Sequence, residues 1–237
     1  MSSRREQKEA LRREREERER QAKAAHARQR MVGVGAGAAL VVVAVVAGVL
    51  LLGSGNDSGA VDPSVLPDGG QVSEQKEFDV TKAAQAAGCE LRDVKVGADG
   101  RDHIQDPNER VKYSSDPPTS GKHFGVPAED GAYTQAPTDE ALVHTLEHGR
   151  VIVWYKPTLP RDTRADLKAL FDEDTYQMVL VPRAKMPYEV AASAWNADPA
   201  PNGTGKLLVC ERASPELWDA LRTFRDEHRS NGPEAIP

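Results

Sequence analysis

In the string "VHTLEH", two histidines and a glutamate fall within five residues, as His144, Glu147 and His148. Side chains four positions apart share one face of a helix, so on a helix His144 and His148 would offer two imidazoles to one cation, with Glu147 on the neighbouring edge. Beside such a pair a carboxylate can bind the same ion, orient an imidazole N–H or act as a general base. The order H-x-x-E-H is also that of inverted zinc peptidases, where two histidines bind zinc and the glutamate activates water. That chemistry needs a third protein ligand and an open coordination position, for which Glu211 and Glu216 are downstream candidates. Without a metal the same spacing suits an exposed or capping pair. Leu142, Val143 and Leu146 would form the apolar side, and a protonated His148 in the last turn would favour the helix dipole.

Four more histidines complete the chain's six. His103 follows the turn "GADGRD", and His123 follows "PPTSG", whose prolines and glycine restrict the backbone; both are candidates for a third and fourth ligand. His26 and His228 lie in polar surroundings and read as exposed. Met178 and Met186 would suit copper as soft ligands, or serve as core or loop residues. There is no GxSxG, P-loop or dinucleotide fingerprint, and Ser120 has only its nearness to His123 to suggest a nucleophile.

The elements that must position these residues follow from capping and periodicity. A short helix is expected over 81–87, stopped by Gly88, and an alternating strand over 90–96. Residues 102–137 are dense in Pro, Gly, Ser and Asp, and so long an irregular stretch in a compact domain is more often functional than idle. Thr138 caps a helix with Asp139 and Glu140 in its first turn, and Gly149 ends it. "RVIVWY" is a nearly continuous apolar run and predicts a central strand. Beyond it a helix over 161–172, strands at "YQMVLV" and "YEVAASAW", and a closing helix over 215–229 give a small α+β domain with one sheet and helices packed against it.

Residues 1–30 hold 11 basic and 6 acidic residues and read as a cytoplasmic tail. Residues 31–52 are uncharged and would reach about 33 Å as a helix, enough to cross a bilayer. They read as a transmembrane helix, with Gly33 and Gly37 a GxxxG through which two chains could dimerise. Residues 53–74 read as a flexible linker with acidic and no basic residues, and 75–237 as the outer domain. The charge asymmetry places the N-terminus in the cytoplasm and the domain outside. Of the chain's 31 basic and 37 acidic residues, 20 and 31 lie after the tail, a balance of −11 that argues against a nucleic-acid partner. The two cysteines, Cys89 and Cys210, both fall in the outer part and read as a disulfide staple rather than a redox pair.

The strings "GRDHI", "YSSDPPTSGKHFGVP", "GAY", "LVHTLEHGRVIVWYKP" and "AASAWN", in this order, resemble the motifs of an uncharacterised bacterial family, domain of unknown function 3105. The likeness runs from about Gln75 to the C-terminus; Lys122 stands where that family often has proline. The resemblance implies one extracytoplasmic domain behind a membrane helix, with His103, His123, His144 and His148 at motif positions, and it implies no activity. Four imidazoles without a thiolate suit Zn(II) or Cu(II). The leading expectation is a single-pass membrane protein whose outer domain binds such an ion. The alternatives are a zinc-dependent hydrolase with Glu147 as general base, and a metal-free surface for an envelope protein or cell-wall polymer centred on His123 and Tyr133.

Overall fold

The computed structural model describes residues 66–234. The tail, the apolar span and most of the linker lie outside them, and no helix among the described residues is long and apolar enough to cross a membrane. Asp79 caps helix α1 (Val80–Ala86) by accepting from the Lys82 N–H. Strands β1 (Cys89–Lys95), β2 (His103–Ile104), β3 (His123–Phe124) and β4 (Gly131–Ala132) follow. Then come α2 (Asp139–Glu147), β5 (Val151–Tyr155), α3 (Arg161–Glu173), β6 (Met178–Pro182), β7 (Val190–Asn196), β8 (Thr204–Cys210) and α4 (Leu217–His228).

The fold is α+β. Six strands form a mixed sheet in the order β1-β8-β7-β5-β6-β4. Pairings from β1 to β5 are antiparallel, while β6 runs parallel to both β5 and β4. The expected single sheet is thus the main one, but β2 and β3 form a separate two-stranded parallel ladder. β5 is central and buried throughout, because both of its faces are covered. Val151, Val153 and Tyr155 face a core shared with α1, α3 and α4. Ile152 and Trp154 face a second core with Leu142, Val143 and Leu146 of α2. Met178 and Met186 are both buried in these cores.

β8 was not among the expected strands. Its sequence "TGKLLVC" opens with polar and small residues, and its four-residue apolar end alone does not distinguish strand from helix. In the sheet it joins β1 to β7, with Cys210 directly opposite Cys89 and bonded to it in a disulfide. Their Cα atoms are 4.3 Å apart, as at a close antiparallel pair. Upstream of residue 75 the chain also packs on this domain: Leu66 is buried, and the Gln71 N–H donates to Asp166.

α2 lies on the opposite face of the sheet from the other three helices and is pinned at both ends. Thr138 caps it by accepting from Ala141, and Arg183 clamps Asp139 through two hydrogen bonds of 2.7 and 3.0 Å. At its other end Gly149 adopts φ +81°, a conformation that costs a glycine little. The long irregular segment is tied to the same helix. Buried Glu140 accepts from Val111 N–H at 3.0 Å, Thr145 donates to the Ala128 carbonyl at 2.9 Å, and Tyr113 donates to the Lys122 carbonyl.

Candidate metal centre

Two segments, β2 and β3, meet α2 here. The β2–β3 ladder pairs His103 with His123, and α2 presents His144 and Glu147 to them. One ligand atom from each of these four residues lies within 4.8 Å of the others. The ring of His123 is 4.9 Å from that of His103 and 4.8 Å from that of His144, centre to centre, and Trp195 packs edge-on behind His123 at 5.9 Å. His123, His144 and Glu147 are buried, whereas His103 is exposed.

The hydrogen bonds orient the rings. His123 Nδ1 lies 2.8 Å from the Gly121 carbonyl oxygen, and His144 Nδ1 lies 2.6 Å from that of Phe124. A carbonyl oxygen can only accept, so both Nδ1 atoms carry a proton; in a neutral ring the lone pair is then on Nε2, which in His144 lies 2.9 Å from His148 Nε2. This backbone anchoring of the far nitrogen is the arrangement that metal-ligating histidines use. His123 Nε2 is buried, 3.0 Å from Glu147 Oε2, yet has no hydrogen bond among the described residues. In a neutral ring this would set a lone pair against a carboxylate, so the contact calls for a shared cation, whether proton or metal ion, and such a cation also favours the ionised carboxylate.

Glu147 is held on its other side by Arg101, whose Nε donates to Oε1 at 2.7 Å. Burial alone would raise this carboxyl, but the His123 and Arg101 contacts outweigh it and hold it down at about 2. Such a carboxylate stays ionised, as a ligand must, and is a weak general base. Burial also pushes His144 down to about 4, against the opposing bond to Phe124, so its imidazole is neutral near pH 7. His148 is lowered too, mainly by burial.

His148 falls in a second group rather than the first. It lies with His144 and Glu234, and its Nε2 is 2.9 Å from His144 Nε2 and 3.6 Å from Glu234 Oε2. The four candidate histidines are therefore divided between two groups that share His144. Neither Glu211 nor Glu216 is in either group. Reading the sequence missed Glu234, which stands alone in "NGPEAI" with no periodicity to mark it, and Arg101, which lies inside the "GRDHI" string. His228 is buried against Phe224 rather than exposed, with ring centres 4.5 Å apart.

Tetrahedral donors sharing a Zn(II) ion at about 2.0–2.1 Å stand roughly 3.3 Å apart. The close pairs already approach that spacing, and the others need a contraction of an ångström or so. Imidazole and carboxylate together suit Zn(II) or Cu(II) better than Mg(II) or Ca(II), which take all-oxygen shells.

A family model described as "Protein of unknown function (DUF3105)" matches residues 103–236. The chain belongs to this family. The DUF3105 match begins at His103 and takes in every residue of both groups. No curated protein and no solved structure matches the chain.

Proposed function

We propose that the domain binds one transition-metal ion, Zn(II) or Cu(II), through His103, His123 and His144, with Glu147 as a fourth ligand or as the carboxylate that orients them. The observation that carries this reading is the buried His123 Nε2, 3.0 Å from the Glu147 carboxylate while its Nδ1 is committed to the Gly121 carbonyl. We further propose, from the charge pattern alone, that the ion is held outside the cell membrane on a single N-terminal helix with its N-terminus in the cytoplasm. Purified full chain should retain close to one Zn or Cu per chain by elemental analysis. His123→Ala and His144→Ala should each abolish retention. A wild-type chain that holds no metal, with stability unaffected by a chelator, would rule the reading out.

A second reading, a zinc-dependent hydrolase, gains one observation. Glu234 supplies the third ligand that "HTLEH" lacked, completing a His-His-Glu set with His144 and His148. Against it, Glu147 is held by Arg101 on one oxygen and is a weak base as it stands. Under this reading Glu147→Gln keeps its metal and loses hydrolysis of a general ester or peptide substrate; undiminished turnover would exclude it.

A further inference from the structure

His144 belongs to both groups of ligands, and its chemistry lets it serve only one ion at a time. Nδ1 donates to the Phe124 carbonyl, so a single lone pair remains, on Nε2. When that lone pair serves an ion beside His103, His123 and Glu147, the outer group keeps only His148 and Glu234, too few to fill the four-coordinate site usual for zinc. The two groups therefore cannot both use His144 at once.

We propose that one ion moves between them, with His144 as the pivot, and that the outer position of His144, His148 and Glu234 is where the domain takes up and releases its ion. This rests on the metal-centre reading above. The outer position has an accessible carboxylate: the His148 and Glu234 side chains are 10% and 42% exposed, whereas in the inner group His123 and Glu147 are 0% and 2% exposed and only His103 reaches the surface. A polar cavity of about 160 Å³ opens beside His148 and is lined also by Glu129, Asp130 and Arg150. Glu234 is brought there by a C-terminal strap along the end of α2, in which the Ser230 N–H donates to the Gly149 carbonyl at 2.8 Å and the Glu234 N–H to the Glu147 carbonyl at 3.1 Å. The transfer is ligand exchange without oxidation or reduction. His148 and Glu234 leave the ion as His103, His123 and Glu147 engage it, while His144 stays bound. Each position contributes one carboxylate, so the ligand set carries the same charge before and after the move.

Co(II) alone, added to metal-free full chain and followed by its visible absorption, tests this. Wild type should bind one Co(II) per chain. His148→Gln and Glu234→Gln should reach the same final occupancy but load, and release to a chelator, about tenfold or more slowly. Glu234 is exposed enough that its glutamine variant leaves the fold undisturbed. Two ions per wild-type chain, or unchanged rates in both variants, would overturn the inference while leaving the metal centre intact. So would loading slowed by His103→Gln alone, since uptake would then run past the exposed histidine of the inner group. Wild type that retains no Co(II) would defeat the metal-centre reading itself, and this inference with it.

Discussion

His103 and His123 are direct partners across a two-residue parallel ladder, so two candidate ligands twenty positions apart are set side by side by their own backbone. The ladder is minimal. Beyond its own pairing, the neighbouring backbone bond from the His123 N–H to the Asp102 carbonyl, 3.1 Å long, holds the two segments together. Short pairings of this kind open at low free energy. An ion bound by both rings would tie the segments far more firmly than that backbone can.

Metal removal should therefore loosen this corner before the sheet. A ligand that binds only the native state stabilises it by about 2.7 kcal/mol at a hundred times its dissociation constant. Chelator-treated full chain should unfold at lower temperature than metal-loaded chain, and amide exchange should rise first at residues 103–104 and 123–124. Equal exchange in these segments with and without metal would show that the ladder does not depend on the ion.

Acid should weaken the fold through His228, which is remote from the centre. Burial pushes this imidazole down to about 4, helped by Lys206 and opposed by Asp93, the two charged groups that face it. Because the folded value lies below the unfolded one, the neutral ring's contribution is complete above about pH 6.5. It is lost as pH falls from there toward 4. The loss is on the order of 3 kcal/mol. Denaturant titrations in excess chelator should show this slope in wild type and a shallower one in His228→Gln, which can still bond to Asn196.

How much of this was legible depended on whether the signal was local. Thr138, Asp139, Glu140 and Gly149 are neighbours of the helix they delimit, so α2 and the shared face of His144 and His148 could be read directly from the chain. The run "VIVWY" told of a strand covered on both sides, and β5 is one. His228 carried a readable sign that its polar surroundings hid: Leu217, Leu221, Phe224 and His228 recur at spacings of four, three and four, a buried stripe with histidine at its end. The division of the histidines into two groups was not legible, because it depends on where the β2–β3 ladder and the C-terminal strap meet α2. Both are long-range contacts between irregular segments, and periodicity says nothing about them.

The disulfide contributes to stability independently of the metal. Cys89 and Cys210 bridge β1 to β8 across 121 positions, on the sheet face turned away from α2. In the chain-entropy model a loop of that length contributes about 5 kcal/mol, with about 2–5 kcal/mol usual when a native bridge is removed. Cys89→Ala with Cys210→Ala should lower the denaturation midpoint accordingly and leave metal stoichiometry unchanged. Loss of metal in the folded double variant would instead mean that the two faces of the sheet are coupled.

Gly232→Ala offers a test of the strap that changes none of the ligand side chains. A Cβ at this position would lie 2.3 Å from both the Glu147 carbonyl oxygen and the Gly149 nitrogen, atoms of a rigid helix end that cannot yield. The strap must move instead, carrying Glu234 away from His148. The bond from the Glu234 N–H to Glu147 breaks with it, at a cost of about 1–3 kcal/mol including the strain of overpacking. The side chains of His103, His123, His144 and Glu147 are not part of the strap, and only the Glu147 backbone carbonyl loses a bond. Gly232→Ala should therefore keep one ion per chain at equilibrium while loading Co(II) as slowly as Glu234→Gln, measured by the same absorption change. A variant that is destabilised but loads at the wild-type rate would show that the strap supports the end of α2 and has no part in uptake.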